Sequence, residues 1–514
     1  MQSKHGQLNG ATLVRLMKSA RSLRSASPAW NSTHRPFYGL HRTSLHCKVA
    51  THPTRSVSSA GGVICIVSLT NYPHQDTGAA FLAERRFALL ADEPGLGKTR
   101  QVVLGADLVA ARRILVICPG AVRQHWKNEF GLWSSAGRRV VVHDGFPTDP
   151  PGDGVTVVSH AALSDSAPSA KRPGIGRSVE RLRAGAPYDL IVADESAEFR
   201  DYRAKRTRAL FAPDGLASLA KQVWCLSGTP VVNSAADLYP LVLGALRSPV
   251  SWEDFCTHYC DMRPDTYLGV KPVGIRNVAE LADGLRPHVL RRTIESLGIP
   301  MPPLAVERTE LVVPAGEVAR IMSDLDGWDR GRLEAALAEQ DELRDAALSR
   351  VRKALGLAKA DAAAQHVACI AREGDGPVVA FFQHTAVRQA MHAALTAAGL
   401  TCSWIDGTVS AVQLRAAVAW FQAGRIDVLL VQTQAGGMGL NLVKATRAVV
   451  VEPPWTATAL FQAIKRIHRI SQTRACTAEV LVCPGSWLED AMAAVIGIKR
   501  RASDDLLGRL TTAA

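Results

Sequence analysis

The segment ADEPGLGKT, residues 91–99, carries the residue types that hold a phosphate chain. Gly95 and Gly97 let backbone amides come close to phosphate oxygens, because no Cβ stands in the way. Lys98 supplies a cation for β- and γ-phosphates, and the Thr99 hydroxyl is an oxygen ligand for Mg²⁺. The spacing departs from Gly-x-x-x-x-Gly-Lys-Ser/Thr at its first position, which is Asp92. An apolar run, FALLA (87–91), precedes the loop and a helical stretch follows, so the phosphates would meet the positive end of a helix.

Two further groups could complete the chemistry. DLIVADE (189–195) ends in Asp194 and Glu195, and its apolar residues place both acids at the C-terminal end of a strand, where ligands bind in open parallel sheets. Asp194 would hold Mg²⁺, and Glu195 would orient and deprotonate an attacking water. Far along the chain, Gln462, Arg466 and Arg469 are spaced four and three apart, which predicts one shared helix face. A guanidinium reaching a γ-phosphate across a cleft is worth about 10³–10⁵ in rate in comparable systems. Cys256, His258 and Cys260 are of metal-ligating types, but no second cluster completes a tetrahedral site around them.

These groups need elements to position them. Apolar, β-branched runs at 87–91, 112–118, 138–143, 155–160, 189–195 and 221–229 alternate with helical stretches, and predict a mostly parallel sheet. A second alternating block has runs at 378–383, 401–407, 428–433, 447–453 and 479–483. The intervening chain is poor in strand signals apart from LAVERTELVV (304–313), and residues 330–360 have helical spacing. The predicted fold is α/β: two doubly wound parallel-sheet lobes joined by a helical insert or connector. The expected divisions are a basic leader over 1–62, a first, nucleotide-binding lobe over 63–234 and its extension with the helical insert over 235–375. A second lobe over 376–490 and a short tail over 491–514 follow.

Composition narrows the class. Of the residues, 47% are hydrophobic and 21% charged, which excludes wholesale disorder. No apolar run approaches the roughly 18–20 residues that a membrane span needs. Ten cysteines in 514 residues make no disulfide framework, and the chain reads as one for a reducing compartment. The net charge of +13 is unevenly spread: residues 1–75 hold nine Lys or Arg and no acid, so the remainder carries only +4. Charge is therefore weak evidence that the folded body binds nucleic acid. The leader reads equally as a disordered basic arm, a transit-peptide-like segment, or upstream sequence from a misassigned start.

With the loop and its acids, several further segments resemble a Swi/Snf-type DNA translocase of helicase superfamily 2. They are ILVICPGAVRQHWKNEF (114–130), LSGTP (226–230) with Asn233, and LRPHVLRRTIESLGIPMPP (285–303). The second block adds IDGTVS (405–410) with Arg415, TQAGGMGLNL (433–442), EPPW (452–455) and QAIKRIHRISQ (462–472). The resemblance covers roughly residues 65–490 and implies two RecA-like lobes. It also places Gln75 of NYPHQ (71–75) against adenine, and Gly437, Gly439 and Gln462 at the nucleotide. Both Arg466 and Arg469 become finger residues. Three positions depart from the pattern: Ala197 replaces a His that would link the acids to the third motif, Lys465 replaces a common acid, and Ser471 a common Gly.

The resemblance implies an ATP- and Mg²⁺-dependent motor that translocates on double-stranded DNA as a monomer, with no membrane partner. Loops after Pro119, at Ser159-His160, Gln383-His384 and Thr433-Gln434 are the candidate nucleic-acid contacts. Two alternatives remain: a strand-separating helicase for DNA or RNA, and an ATP-gated nucleic-acid-binding subunit with little turnover. No segment reads as a wedge hairpin that would force a duplex open. Protein partners are not legible. The expected location is the cytoplasm, or the mitochondrion if the leader is a transit peptide.

Overall fold

The computed structural model describes residues 71–164, 178–232, 234–246, 250–265, 269–325, 327–339, 346–374, 376–433 and 440–511. The expected leader over 1–62, and with it Asn233, Gln434, Gly437 and Gly439, lies outside the described residues.

Six of the expected runs form strands: β1 (Phe87–Leu90), β2 (Arg113–Cys118), β3 (Val140–Val142), β4 (Gly154–Ser159), β5 (Tyr188–Ala193) and β6 (Ala220–Leu226). A hairpin follows, β7 (Asp261–Asp265) and β8 (Gly269–Val273), then β9 (Val289–Leu290) and β10 (Leu304–Glu310). The second block supplies β11 (Val378–Phe382), β12 (Cys402–Ile405), β13 (Val428–Gln432), β14 (Arg447–Val450) and β15 (Cys476–Val482).

All the strands but β7 and β8 assemble into two sheets, each parallel throughout. The first has the order β3-β4-β2-β5-β6-β1-β9 and the second β10-β15-β14-β11-β13-β12. Each central strand is apolar on both faces, because helices cover both sides of a parallel sheet. Phe87 and Leu89 enter one apolar layer of the first lobe, while Ala88 and Leu90 enter the other. In β11, Val378, Ala380 and Phe382 face one layer and Val379 and Phe381 the opposite one. The two doubly wound, RecA-like lobes are thus as expected.

The boundaries between them are not. β10 pairs in register with β15, Leu304 beside Cys476, so the second lobe's sheet begins some 70 residues before position 376. The helices Ala346–Ala358 and Ala360–Glu373 bury Leu348, Val351, Leu355 and Val367 in that same lobe's core. They are its covering layer, not a connector. Within the described residues, the expected tail over 491–514 is no tail either. A helix over Trp487–Leu510 buries Leu488 and Met492 in the second lobe and Leu506 and Leu510 in the first. Its far end is held where Arg286 Nη2 donates to the Arg509 carbonyl at 3.1 Å and where Arg291 bridges Thr511.

The antiparallel hairpin β7–β8 was not expected at all. Pro264 and Pro272 sit in its strands, and proline both weakens the strand signal and confines a strand to an edge. Among the described residues, no helix is long and apolar enough to cross a membrane.

Candidate active site

Because the first sheet is parallel, β1, β2, β4, β5 and β6 all end on one edge. The loop after β1 and the acids after β5 are separated there only by β6. Gly95 and Gly97 have φ of 102° and 74°, in the left-handed region that favours glycine. A Cβ on Gly97 would lie 2.4 Å from Gln75 Nε2, so the missing side chain is what lets Gln75 lie against the loop. Gln75 itself is buried in the helix Pro73–Ala83, with Oε1 accepting from the Tyr72 amide at 3.2 Å. Its neighbour His74 donates Nε2–H to the Leu96 carbonyl at 3.0 Å.

Asp92, the departure from the glycine pattern, is a buried anion with a partner. Arg292 donates Nη2–H to its Oδ2 at 2.6 Å and Nε–H to its Oδ1 at 3.1 Å, a bidentate pair. Gln101 Nε2 adds a bond to Oδ2 at 3.0 Å, and Arg292 Nη1 reaches the His74 carbonyl at 2.6 Å. The pair fastens the start of the loop to the segment after β9. Lys98 Nζ donates to the Asp92 carbonyl at 2.8 Å. Burial lowers the Lys98 pKa, while Glu195, Asp92 and Asp194 act in the opposite sense.

Asp194 is held on three sides. Trp126 Nε1 donates to Oδ2 at 2.9 Å, the Glu195 amide to Oδ1 at 2.9 Å, and His160 Nε2 to the Asp194 carbonyl at 2.9 Å. Burial and the adjacent Glu195 carboxylate push its acid up to about 6. Glu195 adopts a left-handed backbone (φ 47°, ψ 54°), an uncommon conformation for a non-glycine residue. Thr99 and Asp194 offer only hard oxygen donors, a set that fits Mg²⁺.

The second lobe reaches this edge from across the cleft. A Cβ on Gly95 would lie 3.8 Å from Arg469 Cγ, so the arginine stem packs on the phosphate loop. Arg466 is buried, and Glu195 is close enough to act on its charge. Burial lowers the pKa values of Arg466 and Arg469 to about 10 and about 9, and the Arg466 charge adds to the effect at Arg469. Both stay cationic at neutral pH. Lys98 and Glu195 from one lobe and Arg466 and Arg469 from the other therefore converge.

Residues 74–313 match the SNF2-related domain and residues 358–471 the helicase conserved C-terminal domain. The chain thus carries an SNF2-related domain followed by a helicase conserved C-terminal domain. It is 26% identical over 418 residues to a Caenorhabditis elegans SWI/SNF-related matrix-associated actin-dependent regulator of chromatin subfamily A-like protein 1 homolog, covering 80% of this chain and 58% of that one. The mouse DNA annealing helicase and endonuclease ZRANB3 is 24% identical over 447 residues, with 85% and 40% covered. The chain thus spans only about half the length of such relatives. A Sulfolobus solfataricus SWI2/SNF2 ATPase core solved with double-stranded DNA aligns over 87% of this chain and 97% of that one, at 17% identity and a TM-score of 0.37.

Several family residues sit otherwise than expected. The common helix face for Gln462, Arg466 and Arg469 does not exist, because the helix Ala457–Ile464 stops after Gln462. The carbonyls of Arg466 and Ile467 accept from the Leu442 amide and from Gln472 Nε2, each at 3.0 Å. One tertiary and one local bond replace the next helical turn, and both arginines lie in an irregular segment. His160, a candidate nucleic-acid contact, is buried against Phe199 and the Asp194 carbonyl. His384 is likewise occupied, with Nδ1 2.6 Å from Glu452 Oε1, and Thr433 donates to the Phe382 carbonyl at 3.2 Å. His258 pairs with Glu280 at 3.0 Å while Cys256 and Cys260 face the core. Among the described residues no group of three His, Cys, Asp or Glu could hold a metal ion.

Sequence reasoning missed three contributors. Spacing alone makes Trp126 a packing residue, yet it donates to Asp194. Arg292 stands in the sequence only as a member of a motif, yet it fastens Asp92. The third motif needs no histidine to feel the loop, since a Cβ on Gly228 would lie 2.8 Å from Pro94 and 3.5 Å from Lys98 Nζ. All three lie in segments that carry the resemblance, 114–130, 285–303 and 226–230, but nothing in those segments reveals the partners.

Proposed function

We propose that the protein hydrolyses ATP between its lobes and uses the cycle to translocate on double-stranded DNA. The observation that carries this reading is the convergence of Lys98 and Glu195 with Arg466 and Arg469 on one edge of the first sheet. Gln75 reads the adenine, and Gly95, Gly97 and Lys98 cradle the phosphates. Gln462, with Gly437 and Gly439, adds contacts from the second lobe. Thr99 and Asp194 would hold Mg²⁺, which would supply positive charge to the phosphate chain. Glu195 accepts the proton of the attacking water. Arg466 and Arg469 stabilise the charge that develops on the transferred phosphoryl group, and do so only when the lobes are closed. DNA is the polymer favoured by the SNF2-related match and by the names of its relatives.

The test is ATP turnover at one fixed salt concentration with duplex DNA, single-stranded DNA and RNA. Stimulation by duplex, absent in Lys98→Ala and Glu195→Gln, supports the reading. Stimulation by single strands or RNA alone defeats the duplex assignment. Turnover no higher than in Lys98→Ala, with nucleotide still bound, favours a low-turnover clamp. The hairpin β7–β8 is the one observation on the side of strand separation. A triplex-displacement assay run beside an unwinding assay separates that reading from translocation on an intact duplex.

A further inference from the structure

We propose that Glu93 and Lys465 form an interlobe positioning pair that sets Arg466 against the first lobe. The proposal rests on the reading that Arg466 serves the nucleotide. Glu93 belongs to the phosphate loop, beside Pro94, and Lys465 immediately precedes Arg466. Lys465 Nζ lies 3.0 Å from Glu93 Oε1, and the two side chains are only 11% and 14% exposed.

Each partner is fixed within its own lobe before the two meet. Glu93 Oε2 accepts from the Ile294 amide at 2.9 Å, and the Glu93 amide donates to the Arg292 carbonyl at 2.9 Å. Lys465 ends the helix Ala457–Ile464, with its ammonium 5.2 Å from the Phe461 ring centroid and 3.4 Å from His468 Nδ1. His468 gives its Nε2–H to the Pro302 carbonyl at 2.8 Å, so Nδ1 of the neutral ring accepts from the ammonium. Arg291 of the first lobe is close enough to act on the Glu93 charge, and Glu295 and Asp504 line the same interlobe cavity as the pair, so Lys465 is the cation that reaches Glu93 from the second lobe, with a neutral imidazole beside it.

The pair stands on the wall of an interlobe cavity of about 540 Å³, which both lobes line. Opening the cleft returns both charges to water, whereas in the closed arrangement each is largely dehydrated and removing either one leaves the other buried and poorly compensated. Closure thus brings Arg466 to one place relative to the loop, where a displacement of about 1 Å is enough to lose two orders of magnitude in rate.

The experiment uses the full chain with Lys465→Met, Lys465→Arg, Glu93→Gln and the exchanged Glu93→Lys/Lys465→Glu. Turnover is measured against ATP concentration, and lobe separation by energy transfer between dyes at exposed Leu132 and Trp420. The proposal expects kcat to fall about ten- to hundredfold in Lys465→Met and in Glu93→Gln, with KM within about twofold. The closed population should shrink in both. Lys465→Arg should keep most of kcat, and the exchanged pair should regain at least tenfold over the worse single variant, as an orienting charge pair requires. Unchanged kcat and unchanged lobe separation in both single variants overturn the proposal. So does an equal loss in the exchanged variant that melts like the parent. Lobe separation is read without hydrolysis, so a parent chain that turns over no ATP defeats the motor reading while the pair is still tested.

Discussion

The two lobes contribute to the site by different means. In the first, a strand, a tight glycine loop and a helix N-terminus build the phosphate cradle from consecutive residues, and the Asp92–Arg292 pair merely fastens it. In the second, Arg466 and Arg469 lie in an irregular segment whose shape depends on the distant Leu442 and Pro302 and on a local bond from Gln472. A cradle made by local geometry can bind with the lobes apart. Arginines placed by tertiary bonds act only once the lobes have come together. On the proposed reading, the first lobe grips the phosphates and supplies Glu195, and the second lobe adds the arginines that complete the chemistry on closure.

The sharpest way to break that contrast is a pair of substitutions. Lys98→Ala should lose both nucleotide binding and turnover. Arg466→Ala should lose about 10³-fold or more in kcat while binding stays close to the parent. Equal loss of binding in both would erase the distinction. Next in size is Arg292→Met, which strands Asp92 in the first lobe's interior and should destabilise it by about 3–5 kcal/mol. Adding Asp92→Leu should recover most of that, as read by urea unfolding. Trp126→Phe removes the indole donor from Asp194, a bond to a charged group worth about 1.5–3 kcal/mol. It should raise the Mg²⁺ concentration needed for half-maximal turnover, with little change in the Arg466→Ala phenotype.

The smallest effect concerns pH and tests both lobes together. His74, His160 and His468 are buried, each gives Nε2–H to a carbonyl, and burial lowers the pKa of all three below 6.5. At these three sites the unfolded chain binds more protons than the folded one once the pH falls below about 6.5, while Asp194, raised to about 6, acts in the opposite sense; with three sites against one, stability declines as acid is added. The melting temperature should drop between pH 7.5 and pH 5.5. His160→Gln should flatten some of that slope.

Local signals account for what was legible beforehand. Strand, loop and helix at 87–108 are consecutive, and DLIVADE announces a buried strand ending in acids, so Lys98, Thr99, Asp194 and Glu195 could be named with their elements. The arginines were identifiable by type, but their helix was not real, because the carbonyls that end it bond to partners no spacing reveals. β10 was assigned to the wrong lobe because it is a mostly exposed edge strand whose partner β15 lies about 170 residues away. The last helix reads as a tail only if its two apolar ends are viewed separately. Each end finds a different core.

One measurement bears most directly on the claim that a single triphosphate is worked by both lobes. It is the affinity for ADP and for ADP with aluminium fluoride, a mimic of the transferring phosphoryl group, in the parent and in Arg466→Ala. The account predicts that the parent binds the mimic at least about 10²-fold tighter than ADP, and that Arg466→Ala keeps its ADP affinity within about threefold while losing that extra tightness. An Arg466→Ala protein that still discriminates the mimic from ADP as well as the parent does would contradict it.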